Sequence, residues 1–227
     1  MSPRPSDNGG GGRVGTFRAC ARTGDTHMQA AKEYAALLEL IAWIDQHTSA
    51  LILPADERSL IALGCFDVAL EHQSAIALLH SSSLNGSAFA LLRVLAESLV
   101  RGLWLLHCAT DAELQKFKKG TIDKTFDQLV KEFEGTIGTP SGVLSGFKAT
   151  AWKALNGFTH TGFHQVSRRH SPGKVEANYP EQEIAQALGV AGALGLIAGG
   201  QIIGMAGRQD LEPGFMERVS SYSKNAS

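Results

Sequence analysis

The sequence predicts an all-α fold, an irregular bundle of about five to seven helices. Three observations lead there. Apolar residues recur at three- and four-residue spacing along most of the chain between residues 26 and 220. No stretch shows convincing strand alternation, Lys174–Tyr179 being a weak candidate. No internal repeat is present. With 227 residues, 44% of them hydrophobic and 19% charged, the chain is ample for one core and short for two. The domain is therefore expected over residues 26–220.

Residues Met1 to Asp25 are rich in Gly, Pro and Ser and are expected to form a disordered tail. The first helix is expected from Thr26 to Gln46, with Tyr34, Leu37, Leu38, Ile41, Trp43 and Ile44 on its apolar face. Pro54 precedes the second helix, and Asp56 and Glu57 suit its first turn. That helix runs to His80, with Leu60, Leu63, Phe66, Leu70, Ile76 and Leu79 at helical spacing. A short linker, Ser81 to Gly86, makes the third helix its antiparallel neighbour.

The third helix ends near Cys108. Thr110 then caps a short helix, with Glu113 at capping-box spacing. Asp123–Glu134 is amphipathic and buries Phe126, Leu129, Val130 and Phe133. Val143–His160 follows a Gly- and Pro-punctuated connector. Pro180 starts the last long helix, a short tail helix covers Arg208–Val219, and residues 221–227 are expected to fray.

A formal net charge of −1 excludes a protein basic overall, although a local basic patch for nucleic acid stays open. Cys20, Cys65 and Cys108 are an odd number without metal spacing, which predicts reduced thiols and a cytoplasmic protein. The N-terminus lacks the apolar core of a secretory signal. Ile184–Gly207 carries no charge and is long enough to span a bilayer. Its Ala- and Gly-rich composition, with Gln186 and Gln201 inside, favours a closely packed core helix over a membrane span.

The third helix holds the leading candidate site. It is apolar nearly all round yet carries Arg93, Glu97 and Arg101, spaced four apart. Charges on a buried helix must pair with each other or with a ligand. Two readings follow: a guanidinium pair for phosphate or carboxylate oriented by Glu97, or an ion-pair ladder tying the helix to its neighbours. The second constellation is His160, His164 and His170 with Arg168 and Arg169. Histidine with arginine suits metal-independent RNA cleavage; the alternative is a polar loop whose histidines cap helix ends.

His160 and His164 have the i, i+4 spacing of metal ligands, but no glutamate follows His160 and Gly162 lies between them. No metal is therefore expected, and no cofactor: Walker loops, dinucleotide fingerprints, nucleophile elbows and zinc sets are all absent from the sequence. Arg101 and His107 are six apart, which turns their side chains about 240° from each other on one helix.

The runs SSSLNGSAFALLRVLAESLVRGLWLLHCATD, LNGFTHTGFHQVSRRH and ANYPEQEI resemble a family of all-helical bacterial proteins related to the HEPN superfamily and to abortive-infection-like proteins. The resemblance covers roughly residues 30–207 and rests on Arg93, Glu97, Arg101, His160 and Arg168. It implies a helical bundle, often dimeric. It also implies either a metal-independent ribonuclease of toxin–antitoxin or anti-phage systems, or a non-catalytic interaction module. RNA, an antitoxin or defence-system protein, and a second copy of the chain are the partners it implies. The sequence departs from the family's arginine–histidine motif in placing Gly102 directly after Arg101. If the site is catalytic, Arg93, Glu97 and Arg101 are expected to face His160 and Arg168 across the bundle.

Overall fold

A computed structural model describes residues 17–139 and 142–225. It is all-helical: α1 (Phe17–Thr48), α2 (Glu57–Ser81), α3 (Asn85–His107), α4 (Asp111–Lys118), α5 (Phe126–Thr136), α6 (Val143–Thr159), α7 (Phe163–Val166), α8 (Glu181–Met205) and α9 (Glu212–Asn225), with a 3-10 turn at Gln209–Leu211. Among the described residues the count exceeds the five to seven expected, because short elements such as the four-residue α7, which has no side-chain cap, are too brief for periodicity to register. Residues 1–16 of the expected disordered tail lie outside the described residues. Phe17–Asp25 is helical and extends α1 past its expected start. At the other end α9 continues to Asn225 in place of fraying at residue 221.

Capping explains most boundaries. Asp56 is the N-cap of α2 and accepts from the Ser59 N–H at 3.0 Å. Thr110 and Glu113 form the expected capping box of α4, and Thr125 with Gln128 forms a second one on α5. The weak strand candidate is no strand. Ser171 and Lys174 make an isolated bridge, and Glu176 and Asn178 donate back to the carbonyls of Arg169 and Arg168.

At the centre lies α3, packed on α2, α5, α6 and α8. Leu95, Ala96, Leu99, Val100 and Leu105 on α3 are fully buried. Helices α2 and α3 are antiparallel as expected: Arg58 near the start of α2 donates to the carbonyl of Leu105 near the end of α3. Helix α1 runs parallel to α8, since Glu33 lies against Gly189 and Ile44 against Gly199. The buried stripe of α1 is Ala30, Glu33, Leu37, Leu40 and Ile44. Leu38, expected in that face, is exposed, as is Leu60 in α2.

Helices α2 and α8 are both long and apolar enough to cross a membrane. In the bundle 56% of the most apolar window of α8 is buried, against 39% for α2. Packing within the fold thus accounts for more of α8, the helix singled out by sequence, than of α2.

Lys124 bridges Glu113 and Glu132, each at 2.7 Å, and fastens α4 to α5. The Lys124 ammonium, helped by the Thr110 backbone N–H, pulls the Glu113 carboxyl from 4.5 down to about 2. A carboxyl depressed on folding stabilises the native state fully above its unfolded value and loses that contribution as pH falls. Glu113 is therefore expected to contribute above pH 4.5 and to lose its effect towards pH 2. Because the pair is partly exposed, Glu113→Gln should cost only about 1 kcal/mol at pH 7. Urea midpoints at pH 7 and near pH 2 check this: the variant and wild type should converge at the acid end.

Candidate functional site

Arg93 on α3 is the centre of the site. Its Nε donates to Glu97 Oε1 at 2.9 Å, an i, i+4 pair in which both side chains are partly buried. Its Nη1 lies 2.8 Å from His160 Nε2. A guanidinium only donates, so Nε2 must accept and the neutral ring carries its proton on Nδ1. The face of the guanidinium lies over Trp152, 5.2 Å from the ring centroid. Trp152 in turn stacks on Phe126, with centroids 3.9 Å apart and planes within 13°. Phe126, Trp152 and Arg93 thus form one layered stack drawn from α5, α6 and α3.

The local fold puts these groups together because α3 and α6 are antiparallel. Thr159 at the end of α6 reaches the Ala90 carbonyl, and Phe89 packs on Phe158 at 5.0 Å. His160 is the C-cap of α6, its N–H bonded to the Asn156 carbonyl at 3.0 Å. Thr161 adopts a positive φ of 52°, and Gly162 then starts α7. This break ends the helix on which His160 and His164 had i, i+4 spacing. Among the described residues no group of three or more His, Cys, Asp or Glu side chains converges for a metal ion.

The structure brings together Arg93, Glu97 and His160, but the other two candidates go elsewhere. Arg101 is exposed and lies near Cys65 of α2, whose thiol is pushed up by burial and eased by the Arg101 charge. Each four-residue step advances a straight helix by about 40°, so Arg101 has turned about 80° from Arg93. The stripe spirals off α6 before it reaches Arg101. Arg168 makes a two-pronged pair with Glu183 in the first turn of α8, its Nε 3.0 Å from Oε2. That pair holds its guanidinium above the ordinary arginine value. His107 bonds Gln201 of α8 at 3.0 Å, so Arg101 and His107 serve different neighbours.

One member of the site, Trp152, has no signal in the sequence. Trp152 reads there as one more core residue of an amphipathic helix. Among the described residues, the buried Oδ1 of Asn156, one turn before His160 on α6, has no hydrogen-bond partner. Unpaired buried polar atoms are rare in native proteins and point to a water or a ligand.

A family model described as a family of unknown function, DUF6988, matches residues 66–225. The chain belongs to the DUF6988 family. The DUF6988 match takes in Arg93, Glu97, Trp152, Asn156 and His160 and leaves α1 outside. It bears on neither the HEPN nor the abortive-infection relationship. Nothing among curated proteins or solved structures matches the chain.

Proposed function

We propose that this DUF6988 chain is a HEPN-like, cytoplasmic RNA-binding protein of a bacterial defence or stress system, and that the Arg93–His160 cluster cleaves RNA without a metal. The observation that carries the reading is the 2.8 Å contact between a clamped guanidinium and a neutral imidazole at the end of α6. Glu97 and Trp152 fix the orientation of Arg93 while leaving some of its N–H donors for phosphate oxygens. His160 Nε2 is the proton acceptor once an RNA phosphate draws the Arg93 Nη1 donor off its single lone pair. It takes the proton of a ribose 2′-hydroxyl, the 2′-oxygen attacks phosphorus, and the 5′-oxygen departs with a proton from water. The product is a 2′,3′-cyclic phosphate.

The test is incubation of the purified protein with transfer RNA and total RNA in EDTA. Wild type should generate 2′,3′-cyclic ends, and His160→Ala should lose at least about 100-fold in rate, the usual worth of a general base. Arg93→Lys should bind RNA but cleave poorly, since an ammonium cannot hold both Glu97 and His160 in the same plane. Absence of cleavage by the wild type, or cleavage unchanged in His160→Ala, overturns the reading.

A second reading, a non-catalytic interaction module that binds an antitoxin, another defence-system protein or a second copy of the chain, draws on one specific observation. Arg93 and Arg168 are each already paired with a carboxylate, Glu97 and Glu183. Such a protein would keep these pairs for scaffolding. Glu97→Ala separates the two. The pair is partly exposed, so its loss costs stability less than about 1 kcal/mol. Lost RNA cleavage in a folded Glu97→Ala supports the site, and unaltered RNA behaviour supports the module.

A further inference from the structure

Between Glu134 and Glu176 the sequence holds no aspartate or glutamate, yet it holds five lysines and arginines and three histidines. In a chain of formal net charge −1 this is a marked segregation of charge. Two of the cations are paired within the fold, Lys148 with Asp127 of α5 and Arg168 with Glu183 of α8. Arg169, His170 and Lys174 stand exposed on the segment after α7. At the start of α7 an aromatic ring joins them: Phe163 is 82% exposed. Its neighbour His164 packs over Gly157 of α6, and the Gly162 N–H donates to the Gly157 carbonyl at 2.6 Å. These contacts fasten α7 to α6 and leave the Phe163 ring in solvent.

The same side of α3 gathers both ends of this segment. Arg93 holds His160 at one end. At the other, Arg169 Nη2 lies 2.8 Å from where a Cβ on Gly86 would sit, and its guanidinium lies over Tyr179, 5.7 Å from the ring centroid. Gly86 and Arg93 are seven residues apart on α3, within about 20° of one face and about 10 Å along the axis. The chain from His160 to Arg169 therefore runs back along that face towards the start of α3, with Phe163 between its ends. Beyond Arg169, Ser171 and Lys174 exchange backbone hydrogen bonds, and the Glu176 N–H donates to the Arg169 carbonyl at 3.1 Å. This turn folds Lys174 back beside the Arg169 strand.

We propose that Phe163 is a stacking platform for one unpaired base of an RNA strand, and that Arg169, His170 and Lys174 hold the phosphates beside that base. The inference rests on the reading of the chain as an RNA-binding protein and specifies that the RNA lies single-stranded along this side of α3. Exposed cations without carboxylates among them suit a polyanion. The ring selects the strandedness. A splayed base offers a bare π-face to an aromatic side chain, whereas the bases of a duplex are already stacked on both sides.

The experiment is fluorescence anisotropy of the full chain with a labelled 2′-O-methyl oligoadenylate, which lacks the attacking 2′-hydroxyl and so reports binding apart from cleavage. The duplex of that strand with 2′-O-methyl oligouridylate is the comparison. Wild type should bind the single strand more tightly than the duplex. Phe163→Ala should weaken single-strand binding at least about fivefold, the lower end of the worth of one stacked base, and leave duplex binding unmoved. Phe163→Tyr keeps the ring and should bind as wild type does; Phe163→Leu keeps apolar bulk without the π-face and should resemble the alanine variant. Because the side chain is exposed, melting points should stay unchanged. Lys174→Gln should make the slope of log affinity against log salt shallower by about 0.7, one phosphate contact on a single strand. Equal affinity in wild type and Phe163→Ala overturns the proposal, as does full affinity in Phe163→Leu, duplex binding as tight as single-strand binding, or no binding at all. Cleavage of unmodified RNA by a wild type whose affinity ignores Phe163 removes this inference alone. Binding through Phe163 without cleavage removes the ribonuclease reading and keeps the platform.

Discussion

Trp104→Ala should destabilise the protein by about 4 kcal/mol, the middle of the range for a large aromatic removed from a core. Trp104 is the largest of the fully buried side chains, 1% exposed. Its loss leaves a hole beneath α3 where α3 meets α5. It also strips Glu132 of the indole N–H that donates to it at 2.6 Å, and Lys124 of the ring face 4.9 Å away. Glu132 keeps Lys124 as a partner, so the cavity dominates the cost. Trp104→Phe retains part of the volume and should lose about half as much. Guanidinium denaturation of the two variants checks both values, and a change under about 1 kcal/mol for the alanine variant would show that the neighbouring helices collapse into the space.

Glu134→Ala should cost about 3 kcal/mol, with a fall in Tm of roughly 6–12 °C for a domain of this size. Glu134 is 2% exposed, yet its role is local. It sits near the end of α5 and reaches the start of α6, where Oε1 accepts the N–H groups of Leu144 and Ser145 at 3.0 and 3.1 Å. Oε2 takes the Ser145 hydroxyl. The preceding residue, Gly142, has no side chain to cap α6. Glu134 therefore serves as an N-cap borrowed from another helix, with a charge favourable to the positive end of the α6 dipole. The alanine variant orphans two backbone donors, one of them buried. Glu134→Gln keeps an acceptor and should cost about 1 kcal/mol. Thermal melts monitored by circular dichroism separate the two; equal melting points would remove the capping account.

The Glu134 cap also shows why some of the fold was legible in the sequence and some was not. The capping boxes at Thr110 and Thr125 depend on residues three apart, so the Thr110 box can be read directly. The Glu134 cap joins residues across a loop, and nothing in their spacing marks it. The same distinction divides the candidate site. Arg93 with Glu97 is an i, i+4 pair and was visible. His160 meets Arg93 because α3 and α6 are antiparallel neighbours. Arg168 found its carboxylate on α8, and no local rule foretells which helix supplies a partner. Arg101 turns away from the pair because each four-residue step on a helix drifts by about 40°. Glu33 shows the opposite case. The stripe Ala30, Leu37, Leu40, Ile44 passes through it at helical spacing, and that interruption of an apolar face was the available signal.

The glycines of α8 carry a consequence for how such a sequence can drift. Gly192 receives Tyr222 of α9, Gly195 receives Gln73 of α2, and Gly199 receives Ile44 of α1. Three separate helices each press one side chain against the bare backbone of α8 at successive turns. Each glycine and its guest form a matched pair of volumes, so neither can change size alone. Enlargement of Gly199 would be tolerated only with a smaller residue in place of Ile44, and the same reciprocity binds Gly195 to Gln73. Related chains should therefore trade bulk across these pairs in concert, with α8 acting as the template on which the sizes of three other helices are set.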